Sequence, residues 1–271
     1  MADPMWRRIA DDLRVKIEAG ELGSGGKPLP SELELRDAYS ASRNTIRDAV
    51  KWLVTRGLVV TRPGQGTFVV QKIDPFVTTL STDFGAGPKA EEANYLSEIT
   101  AHSRIPEVSR PRIEIQQASS LIAGELRVAP DTTVVSRHQE RRIDGIPWSL
   151  QTSFYPMEFV NRGATRLIQA EDIPVGIVAY IEENIGLKQV GWRDRFVVRA
   201  PDSKESSFFG LPDDGRIAVF EIIRTGYDGT GTPFRVTVTT YPVDRNQFVM
   251  TAGDVPPDEP IAQVSSQDGG G

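Results

Sequence analysis

Three basic side chains recur at helical spacing near the start of the sequence. Arg43, Arg47 and Lys51 stand at positions i, i+4 and i+8, which places all three on one face of a helix. Such a face can bind the phosphates of DNA. In the major groove an arginine can also hydrogen-bond guanine, and the neighbouring Asn44 could do the same with adenine. The alternative is a basic face that is merely solvated. The elements around these residues decide between the two interpretations.

The helix that would carry them has a buried side and defined ends. Ser42 is the predicted N-cap, and Gly57 ends the helix as a left-handed cap. Two helices are predicted before it, over residues 5–19 and after Ser31, whose side chain forms a capping box with Glu34. The face opposite the basic residues is apolar and contains Ile46, Ala49, Val50, Leu53 and Val54.

Two short strand-like runs follow, over residues 58–61 and 67–70. The segment between them, from Arg62 to Gly66, has the proline and glycines of a hairpin turn. Arg62, Gly64 and Gln65 at its tip could reach an adjacent minor groove or the DNA backbone. Helix, helix, tight turn, helix and hairpin is the order of a winged helix-turn-helix.

The charge distribution agrees with this assignment. Residues 1–72 contain 12 Lys and Arg against 9 Asp and Glu, a net charge of +3, whereas the remainder carries −9 and the whole chain −6. A basic head on an acidic body suggests that only the head meets a polyanion. Cysteine is absent, which excludes disulfides, thiolate zinc sites and cysteine nucleophiles.

No long apolar run and no signal-peptide pattern is present, so we expect a cytoplasmic protein without a membrane partner. The two histidines, His102 and His138, lack a partner at zinc-binding spacing, and we expect neither a metal nor a cofactor.

The remainder of the chain alternates strand-like and helical runs. Strands are predicted over 113–117, 134–143, 148–154, 195–199, 217–227 and 234–241, and helices over 119–126, 158–169 and 174–186. The fold class is therefore α+β, with a winged helix-turn-helix followed by a largely antiparallel sheet with helices. The predicted domains are residues 1–72, a linker over 73–94, a second domain over 95–250 and a disordered tail over 251–271.

The first domain resembles the DNA-binding domain of the GntR family. The resemblance rests on four segments at intact spacing: Leu29–Leu35, Ser42–Ala49, Gly57–Val59 and Arg62–Val69. It implies DNA contacts from the start of the third helix and from the glycine turn. Leu33 departs from the family, whose members commonly carry a DNA-contacting arginine there. The predicted DNA-binding residues are Arg36, Ser42, Arg43, Asn44, Thr45, Arg47, Lys51, Arg62, Gly64 and Gln65.

The second domain is similar to the UTRA effector-binding domain of the HutC subfamily, which has a chorismate-lyase-like fold. The resemblance rests on three segments, Glu140–Pro147, Gln151–Pro156 and Tyr227–Pro233, together with Asp244 and Arg245. It implies an effector-binding and dimerisation domain. The predicted effector-binding residues are Arg137, Gln139, Arg141, Gln151, Tyr155, Arg235 and Tyr241.

Three of these positions depart from the sugar-phosphate-sensing members. Gln139 replaces an arginine, whereas Gln151 and Arg235 replace glutamates; Arg141 and Tyr241 keep the usual type. A larger or more neutral molecule with one acidic group fits these residues better than an amino-sugar phosphate does. The alternative for Arg235 is that it points outward and pairs with a surface carboxylate.

These features predict a homodimeric transcriptional regulator without enzymatic activity. We expect a repressor that a small-molecule effector releases from a palindromic operator in double-stranded DNA. One alternative is an effector-independent repressor of the plasmid or conjugation type. The other is a lyase-like enzyme fused to a DNA-binding domain, although Gln139 and Gln151 cannot act as its acid or base.

Overall fold

The computed structural model describes residues 3–23, 28–62, 64–70, 75–80, 90–211 and 217–250, with the backbone alone for residues 90–95. The chain divides into two compact units between residues 73 and 74. The predicted tail over 251–271 lies outside the described residues.

The first unit is a three-helix bundle with a two-stranded hairpin. Its elements are α1 (Met5–Glu18), α2 (Glu32–Tyr39), α3 (Arg43–Thr55), β1 (Val59–Arg62) and β2 (Gly66–Val69). Ser31 and Glu34 form the expected capping box at the start of α2. The core of the unit includes Leu13 from α1, Leu35 from α2 and Leu53 from α3. The predicted winged helix-turn-helix arrangement is therefore present, with both strands displaced by one residue.

The second unit is built on an antiparallel sheet of seven strands. Its strands, with the short pair β3 and β11, are β3 (Phe76–Thr79), β4 (Pro106–Val108), β5 (Arg112–Gln117), β6 (Thr133–Ile143), β7 (Ile146–Pro156), β8 (Gly191–Arg199), β9 (Val219–Tyr227), β10 (Pro233–Pro242) and β11 (Asn246–Val249). The order is β4-β6-β7-β10-β9-β8, and β5 also pairs with β6. β3 and β11 form a separate parallel pair.

The helices of this unit are shorter than the sequence suggests. They are α4 (Ala90–Ala101), α5 (Ser120–Leu126), α6 (Glu158–Asn161), α7 (Ile177–Ile185) and α8 (Ser203–Phe209). The helix predicted over 158–169 is broken because Gly163 has a φ of +123°, and only a 3-10 turn, Thr165–Ile168, follows it. The predicted linker over 73–94 contains β3 and the beginning of α4, so part of it belongs to the folded unit.

The two faces of the large sheet are covered by different helices. On one face α5 packs Ile122 and Leu126 against Val134, Ile223 and Val236. On the other face α6, α7 and the 3-10 turn cover one end of the sheet, so that its remaining part is available to a polar site.

Glu125 of α5 ties that helix to the sheet. Its carboxylate accepts hydrogen bonds from Thr225 and from Arg195, at 2.6 and 2.8 Å, and from Arg193. Burial by itself raises the pKa of Glu125, but the hydrogen bond from Thr225 and the charges of the two arginines outweigh it, and the pKa is lowered.

Candidate nucleic-acid interface and effector site

The structure places the predicted recognition residues along the exposed face of α3. Arg43, Asn44, Arg47 and Lys51 are exposed, and Thr45 is half-buried. On the opposite face Ile46, Ala49 and Leu53 have no exposed surface, because they pack against the other helices of the first unit. α3 therefore presents a basic side to solvent while its apolar side fixes its position.

The beginning of α3 is held by its own cap. The Oγ of Ser42 accepts a hydrogen bond from the backbone N–H of Thr45 at 3.2 Å, and the two hydroxyls lie 2.7 Å apart. The positive end of the helix dipole at these residues favours a phosphate.

Arg43 is oriented by a carboxylate from the preceding helix. Its Nε donates to Oε2 of Glu32 at 3.2 Å, although the arginine side chain remains 73% exposed. Glu32 is the first residue of α2, so the ion pair connects the beginnings of the two helices. The ion pair engages Nε, and the two terminal nitrogens are the atoms with which an arginine can bind guanine in bidentate readout.

The hairpin supplies a second basic position. Arg62 lies over the ring of Phe68, with its Cζ 4.7 Å from the ring centroid. The backbone N–H of Gln65 donates to the carbonyl of Arg62 at 3.1 Å, and Gly64 has a φ of +72°. This positive φ requires glycine, which explains the composition of the turn.

Two residues of α2, Leu33 and Arg36, also bear on the predicted DNA contacts. Leu33 is 60% exposed, so a side chain at this position faces solvent, as expected for the DNA-contacting arginine of other members. Arg36, another predicted contact, is only half-buried, and its Nε is buried without a hydrogen-bond partner among the described residues.

In the second unit the predicted effector-binding residues share one face of the sheet. Gln139 of β6 pairs in register with Gln151 of β7, which pairs with Thr239 of β10. Residues in register point to the same side, as do residues two positions apart along a strand. The same face therefore holds Arg137, Gln139, Arg141, Gln151, Tyr155, Arg235 and Tyr241.

Arg137 is engaged with the backbone that covers the sheet. Its Nη1 donates to the carbonyls of Leu167 and Gln169 at 3.0 and 2.8 Å, and Nη2 donates to that of Glu171 at 2.6 Å. Only 4% of Arg137 is exposed. Its observed contacts position the segment after the 3-10 turn, and this segment borders the predicted site.

The two glutamines of this face, Gln139 and Gln151, make only long hydrogen bonds. Nε2 of Gln139 donates to the carbonyl of Ser109 at 3.4 Å and to Oδ1 of Asp172 at 3.3 Å. Oε1 of Gln151 accepts from the hydroxyl of Thr239 at 3.5 Å. Distances of this length lie at or beyond the end of the usual range, so a ligand could compete for these groups.

Arg235 lies inside the protein, and the alternative that it points outward is wrong. It is 6% exposed, and its Nε donates to Oε1 of Gln189 at 2.9 Å. The strand register is the physical reason, since it assigns Arg235 to the covered face, opposite Gly226 of β9. A Cβ at Gly226 would stand 2.6 Å from Oε1 of Gln189 and 3.0 Å from Cγ of Arg235, so the glycine provides the room for both.

The two predicted tyrosines differ in their surroundings. Tyr155 is completely buried in the core with Val135 and Phe234, and burial raises its pKa although the charge of Arg235 acts in the opposite direction. Tyr241 is 6% exposed and meets the ring of Phe248 edge-on at 5.0 Å.

The sequence interpretation missed four hydroxyl groups on this face. They lie at every second position along β7 and β10, in line with Gln151 and Arg235, and that spacing was the available signal: Ser149, Ser153, Thr237 and Thr239. All four are at least 93% buried. Together with Gln139 and Arg141 they make the middle of the sheet polar where a core would be apolar.

Both units match known protein families. Residues 6–69 match the bacterial regulatory proteins of the gntR family, and residues 106–247, more than half of the chain, match the UTRA domain. The chain belongs to the GntR family and carries a UTRA domain. This GntR/UTRA regulator thus has the HutC-like architecture expected from its sequence, which is confirmed together with the α+β fold class.

Relatives match this chain along most of its length. The regulator is 28% identical over 247 residues to the HTH-type transcriptional regulator RB1450 of Rhizobium meliloti, covering 90% of this chain and 93% of the relative. It is 23% identical over 251 residues to the transcriptional repressor NagR of Bacillus subtilis, covering 91% and 93%. These relatives and the two domains identify the protein as a DNA-binding transcriptional regulator.

Solved structures agree on the fold. A crystal structure of a protein assigned to the GntR-family transcriptional regulators has a TM-score of 0.55 and 25% identity, and the match covers 93% of this chain and 99% of that one. PhnF from Mycobacterium smegmatis has a TM-score of 0.51 and 20% identity, with 90% and 99% covered.

Membrane-spanning helices and metal clusters are absent from the described residues. These residues contain no helix with the length and apolar character needed to cross a membrane. In the same part of the chain, no three histidine or acidic side chains come together as a metal site would require.

Proposed function

We propose that this GntR/UTRA regulator is a homodimeric, cytoplasmic repressor that a small-molecule effector releases from a palindromic operator. The observation that carries the proposal is the polar, buried centre of the UTRA sheet. Protein cores bury polar groups at a cost unless a partner compensates them, and a ligand is such a partner.

The side chains on the face indicate the chemistry of the effector. Arg141 and Arg235 are both buried, and the glutamines at positions 139 and 151 add neutral groups able to donate and accept. This set favours a molecule that has an acidic group and several uncharged polar groups. One relative, matched over 57% of this chain, is named as the repressor of the mannosyl-D-glycerate transport and metabolism system of Escherichia coli, and this name is compatible with such an effector.

The two glutamines of this face favour a regulator over a lyase-like enzyme. General acid–base chemistry needs a titratable side chain at the reacting atom, and the amides of Gln139 and Gln151 cannot serve. Incubation of the protein with chorismate should give no lyase product.

The DNA-binding part of the proposal follows from α3 and the hairpin. Two copies of the basic face on a twofold dimer would read two half-sites of a palindrome. The effector must bind more tightly to the arrangement that does not bind DNA, because a ligand shifts an equilibrium only by its differential affinity.

The test is a footprint of the purified protein on the DNA upstream of its own gene. Protection of a palindrome should be lost in Arg43→Ala and Arg47→Ala and should weaken as salt is raised. Arg14→Ala is the matched control, since Arg14 is a partly exposed arginine of the same unit that pairs with Glu18 on α1. Equal protection by wild type and both α3 variants would refute the assignment of the recognition helix.

The effector is then sought by adding metabolites to the footprint and to a thermal unfolding assay. A compound that stabilises the protein and removes protection would support the proposal. A stabilising compound that strengthens protection would refute release by effector.

A further inference from the structure

Ser149 has a buried hydroxyl that the folded protein leaves without a partner. The residue lies in β7 with none of its surface exposed, and its Oγ has no hydrogen-bond partner among the described residues. An unpaired buried hydroxyl destabilises a fold, so such a group calls for a specific explanation.

Three other hydroxyls on the same sheet face are satisfied. Ser153, two positions beyond Gln151 in the same strand, shares a hydrogen bond of 2.9 Å with the hydroxyl of Thr237. The hydroxyl of Thr239 donates to Gln151. Ser149 differs from these three although it is equally buried. The hydroxyl of Tyr155, further along β7, is likewise buried without a hydrogen-bond partner among the described residues.

The surroundings of Ser149 identify a candidate partner. Arg141 lies directly opposite in β6, is 5% exposed and shares the same face. Cross-strand neighbours have Cβ atoms about 4.5–5.5 Å apart, so a guanidinium and a hydroxyl can bind the same small group. The register shifts between Arg141 and Arg142, and such bulges re-aim side chains next to binding sites.

The bulge also affects the residue before Ser149. Arg141 pairs with Ser149 and Arg142 with Pro147, which leaves Trp148 as the extra residue of β7. The Nε1 of Trp148 is likewise buried without a hydrogen-bond partner among the described residues. Two consecutive unsatisfied groups thus occur at the point where the strand pairing is irregular.

We propose that the hydroxyl of Ser149 and the guanidinium of Arg141 bind one oxyanion of the effector. The group is a carboxylate or a phosphate, since both offer oxygens that accept from a guanidinium and from a hydroxyl at the same time. This inference rests on the proposed function and adds to it the residue that completes the acidic end of the effector site.

The experiment uses thermal unfolding of the full chain with inorganic phosphate and with acetate as probes, each at up to about 100 mM and compared with chloride at equal ionic strength. The proteins are wild type, Ser149→Ala, Arg141→Ala and the matched control Ser136→Ala. Ser136 is a buried serine of β6 on the opposite face of the sheet, and its hydroxyl accepts from Nε2 of Gln116 and donates to the carbonyl of Glu114. Phosphate and acetate distinguish the two forms of the oxyanion, because the better-matched probe should stabilise the wild type more strongly.

Two results are expected. Without a probe, Ser149→Ala should unfold at the same temperature as wild type or higher, because an unsatisfied group is removed, whereas Ser136→Ala should unfold at a lower temperature because it loses its hydrogen bonds. The apparent affinity for the better probe should fall about tenfold in Ser149→Ala and stay unchanged in Ser136→Ala.

Three results would overturn the inference. One is a wild type that neither probe stabilises beyond chloride. Another is equal probe affinity in wild type and Ser149→Ala while Arg141→Ala loses it, which would leave an anion site without Ser149. The third is destabilisation of the probe-free Ser149→Ala as large as that of Ser136→Ala. A footprint of each variant reports separately on DNA binding, so failure of the proposed function is recognised independently.

Discussion

Replacement of Glu32 by glutamine should separate sequence-specific from non-specific DNA binding. Glu32 holds Nε of Arg43 at 3.2 Å, and the two side chains are 44% and 73% exposed. An ion pair at this exposure contributes about 0–1 kcal/mol, so loss of the orientation of Arg43 should reduce operator affinity by up to about fivefold per half-site. Arg43→Ala removes the whole contact. It should weaken operator binding by about 1–3 kcal/mol, which is a loss of affinity of roughly 5-fold to 150-fold.

Affinity for unrelated DNA should change in the opposite direction. Glu32 brings a negative charge close to the phosphates, so its neutralisation should raise non-specific affinity. Fluorescence anisotropy at one fixed salt concentration measures both the specific and the non-specific affinity. The duplexes are the operator, an operator in which the contacted guanine is replaced, and unrelated DNA. Asp37→Asn is the matched control, because it removes an exposed negative charge from the same helix, at a residue for which no contact with Arg43 is observed. If Glu32→Gln raises affinity for operator and unrelated DNA by the same factor, Glu32 does not orient Arg43.

Two further predictions concern the UTRA unit. Gly226→Ala should lower the free energy of unfolding by about 1–3 kcal/mol and weaken effector binding, because the added Cβ collides with Gln189 and Arg235; an unchanged melting temperature in calorimetry would contradict the described packing. Glu125→Gln should destabilise the protein by about 1–2 kcal/mol at neutral pH. Since the folded-state pKa of Glu125 lies below its ordinary value of 4.5, the stabilisation is complete above that value and is lost as the pH falls through the folded pKa. Urea unfolding at several pH values should therefore show the two proteins converging in acid, and a constant difference would refute the role of this carboxylate.

The sequence alone determined most of the first unit. Its signals are local: the capping box of Ser31 and Glu34, the cap at Ser42 and the glycine at 64 all act on residues within one turn of themselves. The exposed basic face of α3 followed from spacing, because helical geometry converts sequence distance directly into direction. The six long strands of the UTRA unit were likewise visible in their runs of apolar and β-branched residues.

Short elements escaped the sequence analysis because they depend on partners distant along the chain. β3 and β11 each contain four residues and exist by pairing with one another across more than 160 positions. A run of four residues carries little periodicity, so its conformation is decided by the neighbour that supplies its hydrogen bonds.

For the effector site, too, the sequence and the tertiary structure determined different features. The sequence determined the types of its side chains, including the unusual Arg235, and thus the chemistry that the site can offer. Only the tertiary structure decided which of them meet, since a shift of one residue in strand register would move every side chain to the other face. It placed Arg235 inside against Gln189, engaged Arg137 with backbone carbonyls and left the hydroxyl of Ser149 unpaired beside Arg141.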